Sequence, residues 1–203
     1  MRSLQNPYDR VMARPRKFDE ARAVGSAMDA FWRQGYHATS TRDLTDRTGV
    51  GPSSLYNTFG DKRQLYLRTL REYFAVHTAE QTRGLRAPGP AKERLRHLMV
   101  HAVDLDLSGT GPAGCFAVNA LIEMGSEDPD VAEELQRHFG AVEDALTDTV
   151  AEGQRDGGIT APGDARTLAR QVLSTYYGLR VLARVQKDRQ ALLAVADSAL
   201  AAL

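Results

Sequence analysis

Cysteine occurs once in this chain of 203 residues, as Cys115. An intrachain disulfide is therefore impossible, and a metal site built from several thiolates is excluded. Long apolar runs are missing too, and none approaches the ~20 residues of a membrane span. The first thirty residues contain no apolar core of the kind a secretory leader carries, so a reducing, cytoplasmic setting is expected. Strand-type alternation of β-branched residues is almost absent. No Gly-rich dinucleotide or Walker-type loop and no Gly-x-Ser-x-Gly element occurs. Glu93/His97 and Glu134/His138 are four residues apart, not the three of a di-iron motif. The chain is therefore not read as an enzyme, and no cofactor or metal is expected.

Net charge is also missing, with 26 Lys+Arg against 26 Asp+Glu, but the balance conceals an asymmetry. Residues 1–72 hold 13 basic and 8 acidic side chains, and residues 73–203 hold 13 and 18. A polyanion would approach the first part and be repelled by the second. The excess starts with Arg10, Arg14, Arg16 and Lys17.

Apolar residues recur at spacings of three and four nearly everywhere, so the chain reads as all-α. Helices are predicted at about 19–34, 41–48, 52–59, 61–82, 91–107, 113–125, 129–155, 164–186 and 188–202. The first is capped by Asp19 and stopped by Gly35. Pro52 suits a first helical turn. Ala87-Pro88-Gly89-Pro90 is the clearest break.

Thr41 to Phe59 has helix-turn-helix form: two short helices around Gly49, where the turn needs a positive φ. Leu44, Val50, Leu55 and Phe59 are spaced to pack the pair onto the first helix. Ser53, Ser54 and Asn57 occupy the other face of the second short helix and are small or polar enough to approach base edges. The runs Phe31-Trp32-Arg33-Gln34-Gly35-Tyr36-His37-Ala38-Thr39-Ser40 and Gly49-Val50-Gly51-Pro52-Ser53-Ser54-Leu55-Tyr56-Asn57-Thr58-Phe59-Gly60-Asp61-Lys62 resemble the N-terminal signature of the TetR family of bacterial transcriptional repressors. The likeness covers about residues 15–70. Met12 to Phe18 is similar to the family's common start, so residues 1–11 read as an extension or as the product of an upstream start codon. Departures are Thr45 and Thr48 in place of Ala, Gly51 in place of a Ser cap, and Thr58 where His is frequent.

The resemblance implies a three-helix helix-turn-helix DNA-binding domain (14–62) behind a disordered extension (1–13). A C-terminal helical bundle (63–203) would then bind ligand and dimerise. It further implies that Thr41, Tyr56 and Lys62 hold phosphates of a double-stranded operator. Arg42, Ser53, Ser54 and Asn57 are the candidates for base readout. Arg14, Arg16 and Lys17 would follow a phosphate track or enter the minor groove. The partners implied are operator DNA, a second copy of the chain and a small apolar or amphipathic ligand, with no membrane. The protein would be cytoplasmic, and nucleoid-associated when bound to DNA.

In the acidic part, Leu168, Val172, Leu179 and Leu182 with Leu192, Ala196, Ala199 and Leu200 form an apolar surface expected at a dimer interface. Phe116, Asn119 and Glu123 share a helix face, so an amide and a carboxylate beside a ring could orient a ligand. Met99, Val103, Cys115, Tyr176, Tyr177 and Arg180 complete the expected pocket. The alternative is that Asn119 is a satisfied core group and Glu123 pairs with an arginine. Cys115, near a predicted helix N-terminus, is a candidate thiol switch. His97, His101 and Asp104 share a face that could hold a metal or simply meet solvent. A constitutive DNA-binding protein without ligand is the remaining alternative.

Overall fold

The computed structural model describes residues 18–109 and 114–203. These form nine α-helices and no strand among the described residues: α1 Glu20–Gln34, α2 Thr41–Thr48, α3 Pro52–Phe59, α4 Lys62–Leu85, α5 Ala91–Leu107, α6 Phe116–Met124, α7 Pro129–Asp156, α8 Ala165–Leu182 and α9 Arg189–Ala201.

Helix starts follow local chemistry. Asp19, Asp61, Asp128, Asp164 and Asp188 each accept a first-turn amide through the side chain. Ser40 and Asp43 form a reciprocal capping box on α2. Gly51 leaves α3 without a side-chain cap. Gly49 adopts φ 69°, the left-handed conformation that stops α2 and reverses the chain.

Three predicted boundaries move. α4 continues past Thr82 to Leu85, because Leu85 is buried and its carbonyl, open at a helix end, accepts from Arg94 Nη1 at 2.7 Å. α6 begins only at Phe116, since Cys115 is extended at its N-cap. α8 ends at Leu182. Beyond it the chain tightens into i→i+3 turns, with Arg184 and Val185 donating to Val181 and Leu182.

Two hydrophobic clusters organise the molecule. One joins α1–α4 to α6 and the start of α7, with Phe31, Leu44, Leu55, Tyr66, Phe116 and Leu135 at its centre. The other packs the far end of α4 with α5, α7, α8 and α9 around Leu95, Met99, Leu146, Val172 and Leu179. Only α4 and α7 run through both. They are held side by side by Arg63 to Asp128 (2.8 Å) and Asp130 (2.7 Å), by Arg71 to Glu134, and by His138.

His138 is 3% exposed and stacks on Phe74 with ring centres 4.5 Å apart. Its Nδ1 lies 2.7 Å from the Thr78 hydroxyl and its Nε2 3.1 Å from the Tyr177 hydroxyl, so one imidazole bridges α4, α7 and α8. Burial pushes its pKa down to about 4, with His77 and Arg180 adding to the shift. An unfolded histidine titrates near 6.5. Above that pH both states are neutral. Between 6.5 and 4 only the unfolded chain takes up the proton, so stability falls with pH, by about 3 kcal/mol in all. Urea unfolding at pH 7.5 and 4.5 should show His138→Gln losing less stability on acidification than the parent, and equal losses would contradict the assignment.

Candidate nucleic-acid interface and effector cavity

The helix-turn-helix unit is built from its buried side. Leu44 and Leu55 are fully buried and Val50 nearly so. These residues fix α2 and α3 against α1 and leave Ser53, Ser54, Asn57 and Thr58 exposed on one side of α3. The two threonines that stand in place of Ala are satisfied locally. Thr45 Oγ1 donates to the Arg42 carbonyl at 2.9 Å, and Thr48 Oγ1 accepts from the Val50 amide at 3.2 Å.

At the exposed start of α2, the Thr41 and Tyr56 hydroxyls are 2.7 Å apart. They form a paired hydroxyl site next to the amide-rich end of a helix, the arrangement that suits a phosphate. Lys62 Nζ stands 4.4 Å over the Tyr36 ring. Burial lowers its pKa while Glu123 acts in the opposite direction. Arg42 extends into solvent, 90% exposed, within 3.8 Å of Asp46. Arg14, Arg16 and Lys17 lie outside the described residues.

Sequence reasoning missed what holds this head in place. The Glu123 carboxylate on α6 accepts the backbone amides of Tyr36 (2.8 Å) and His37 (2.9 Å) in the turn between α1 and α2. Gly35 sits against it at φ 85°, and a Cβ there would lie 2.8 Å from both carboxylate oxygens. The Gly-aromatic pair of the signature is thus a seat for this carboxylate. His37 Nε2 lies 3.0 Å from Glu127, and Arg63 binds the first turn of α7. Trp32 stacks on Phe116 and donates from its indole to the Gly114 carbonyl at 3.1 Å. No local signal in the sequence marks these contacts, which join residues more than sixty positions apart.

The residues expected to share one pocket do not come together. Glu123 belongs to the clasp just described. Cys115 and Phe116 are buried in the head cluster, 3% and 1% exposed, with Cys115 Sγ 3.6 Å from the Tyr73 hydroxyl. Asn119 accepts from Arg184 at 3.0 Å and lines a shallow groove beside Trp32 and Ile122. Met99 and Val103 are sealed in the second core at 0% and 1% exposure. Tyr177 is half-buried, bonded to His138. Only Tyr176 and Arg180 reach a true cavity.

That cavity, about 300 Å³, opens between α4, α5 and α8. Its wall is His77, Glu80, Gln81 and Gly84 from α4, His97, Leu98, His101, Ala102 and Leu105 from α5, and Tyr176 and Arg180 from α8. Leu98, His101, Ala102 and Leu105 follow i, i+3, i+4, i+7, one position round from Met99 and Val103, with His97 at their edge. The most apolar face became core, and the cavity took the mixed edge beside it. Arg180 is bound through two nitrogens to Asp106 at 2.9 and 2.8 Å, each side chain 4% exposed. Burial opposes the charge on Arg180, but the Asp106 bonds prevail and raise its pKa. Gln81 Nε2 donates to the Tyr176 hydroxyl at 2.7 Å. Asp104 turns away to Arg189 (2.6 Å), and no cluster able to hold a metal is found among the described residues.

The expected dimer residues also need correction. Leu168, Val172, Leu179, Leu192, Ala196 and Leu200 are all at most 6% exposed and pack inside their own chain. Ala199 is half-buried, and Leu182 is 47% exposed. The apolar residues left in solvent at the α8–α9 end are Val181, Leu182, Val185 and Val195. Periodicity identified the helices' apolar stripe, but that stripe fills the protomer core and the exposed apolar side chains lie off it.

A capped helix pair with a polar, solvent-facing third helix, carried on a separate helical body, defines a helix-turn-helix DNA-binding regulator. Residues 24–69 match the model of bacterial regulatory proteins of the tetR family, and residues 91–199 match the tetracyclin repressor-like C-terminal domain. The chain is 30% identical to the HTH-type transcriptional regulator YezE of Bacillus subtilis strain 168, over 95% of this chain and 100% of that one. It is 28% identical to the HTH-type transcriptional repressor ComR of Escherichia coli K12, over 92% and 90%. A cysteine mutant of the TetR family regulator CifR, solved with a 26-bp double-strand operator DNA, superposes with TM-score 0.81 at 31% identity, covering 93% of this chain and 99% of that one. The chain belongs to the TetR family of transcriptional regulators, a non-enzymatic DNA-binding family.

Two substitutions separate the contacts. Tyr56→Phe should weaken binding to all DNA sequences alike, whereas Asn57→Ala should relax preference at one base position; a uniform loss from Asn57→Ala in a base-scanning binding assay would remove it from readout. Glu123→Gln turns an amide N–H2 toward a backbone N–H. It should lower operator affinity several-fold and destabilise the fold by about 1–3 kcal/mol. The slope of log affinity against log salt should stay unchanged, because no phosphate contact is lost; a flatter slope would instead make Glu123's effect electrostatic at the DNA.

Proposed function

We propose that the protein is a homodimeric repressor that binds a roughly palindromic operator and leaves it when a small amphipathic molecule enters the cavity between α4, α5 and α8. The head is residues 14–62 and the body 63–203. It works in the cytoplasm, at the nucleoid while DNA-bound. The observation that carries this reading is the course of α4. Its first residue, Lys62, stands over Tyr36 beside the reading helix, and Gln81 and Gly84, near its other end, form cavity wall. At 1.5 Å per residue Lys62 lies about 22 Å from the near edge of the cavity wall on α4 and about 33 Å from its far edge, on one rigid element. A ligand that favours one position of α4 shifts the head by the same step. The linkage is reciprocal, so DNA weakens ligand binding as ligand weakens DNA binding.

Thr41 and Tyr56 hold one phosphate and Lys62 another, Arg42, Ser53, Ser54 and Asn57 meet base edges, and Arg14, Arg16 and Lys17 extend the phosphate track. Support for a dimer comes from the exposed valines and leucine at the α8–α9 end, a patch that a twofold axis would cover with its own copy. Cys115 is too buried to support the thiol-switch alternative.

Selection of duplex oligonucleotides by the full-length protein should return an inverted repeat with half-sites one turn or a multiple apart, bound in a salt-sensitive way. Val185→Glu with Val195→Glu should give a monomer by sedimentation and lower operator affinity by at least tenfold. A doubly charged variant that remains dimeric, or selection without any preferred repeat, would overturn the proposal. Operator binding indifferent to every small molecule tried would favour the constitutive alternative.

A further inference from the structure

We propose that the α4–α5–α8 cavity takes an uncharged, compact bicyclic molecule bearing a hydroxyl, with that hydroxyl docked on the Gln81 amide beside the Tyr176 hydroxyl. The inference rests on the effector reading above and specifies its ligand class. Size, charge and hydrogen bonding each narrow it.

The volume is about 300 Å³, roughly twice the ~150 Å³ apolar cavity that accommodates benzene. Two fused rings fill such a space. Leu98, Ala102 and Leu105 offer them apolar walls.

Charge excludes the anions that an arginine in a pocket would ordinarily invite. Arg180 gives Nε and Nη2 to Asp106, and both side chains are 4% exposed. The pair is neutral as a unit, and a ligand carboxylate could win the guanidinium only by stranding Asp106. At the mouth, the Glu80 carboxylate lies 3.5 Å from His77 Nδ1 and adds negative charge. Burial holds His77 below the usual imidazole pKa, so it provides no compensating cation at neutral pH. His97 and His101 also line the wall, but both are exposed on α5, where a contact to an anion is screened by solvent. An anion would therefore give up its hydration without gaining a buried cation free of its own counter-ion.

Hydrogen bonding selects the head group. One end of the Gln81 amide is bonded to Tyr176, while Oε1 has no partner and is covered, so a ligand hydroxyl reaches it by a small turn of this cavity-lining side chain. A half-turn of the amide would exchange oxygen for nitrogen and leave the other atom unpaired. A hydroxyl serves both cases, because it donates to an oxygen and accepts from an N–H2. A carbonyl serves one only.

The test uses isothermal titration of the full-length protein with three probes of one skeleton: 2-naphthol, naphthalene and 2-naphthoate. The expected order is 2-naphthol about three- to tenfold tighter than naphthalene, the size of one net hydrogen bond, and 2-naphthoate weakest. Gln81→Leu should bring 2-naphthol and naphthalene to the same affinity. Gly84→Leu should suppress all three. Gly84 lines the cavity and a Cβ there meets nothing within 4 Å, so a side chain at this position starts in open space. Its melting temperature and dimer mass should match the parent. Tighter binding of 2-naphthoate that Gly84→Leu abolishes would overturn the ligand class while keeping the cavity as the site. Binding that survives Gly84→Leu would overturn the site as well. Absence of binding by all three probes would overturn the class.

Discussion

The orientation of the helix-turn-helix head depends on a carboxylate that lies outside it in the chain. Glu123 on α6 accepts two adjacent amides in the turn between α1 and α2. Two amides meeting one charged acceptor give a strong and directional contact. Glycine at position 35 is what lets the carboxylate come so close. Around it, Arg63 binds Asp128 and Asp130, and Trp32 stacks on Phe116. The result is that α6 and the α6–α7 corner are packed with the DNA-binding helices although they follow them by more than sixty residues.

This arrangement gives the molecule two cores with two shared beams. α4 and α7 cross both clusters, and His138 bridges them to α8 at the level where the second core begins. Close-packed cores respond to a ligand by stepping between discrete arrangements, not by bending. A cavity on α4 is well placed to bias such a step, because its wall and Lys62, which stands over Tyr36 in the head, share one helix. The polar rungs between α4 and α7 set the cost of sliding the two past each other.

Much of this was legible in residue order. The helix-turn-helix unit reads directly because its demands are local: a cap at Ser40, a left-handed glycine at 49, proline in the first turn of α3 and a buried leucine in each short helix. The same locality explains why the helix count was legible throughout. The cavity was legible only in part. Tyr176 and Arg180 do line it, but Phe116, Asn119 and Glu123 share a helix face that never reaches it, since α6 packs against the head. Of the residues expected at a dimer surface, Leu182 stays exposed, while the strongest apolar stripes of α8 and α9 are consumed by the chain's own core.

Sequence alone determined the helices, their caps, the reading helix and its exposed polar face, because each depends on hydrogen bonds and contacts within a few residues. Tertiary structure alone decided which apolar faces turn inward, where α6 docks, what Gly35 is for and which side chains meet at the cavity. Those outcomes depend on pairs distant in the chain, such as Glu123 with Tyr36 and Arg180 with Asp106. Helical periodicity states that a face will be buried, but which neighbour buries it depends on how the helices close together.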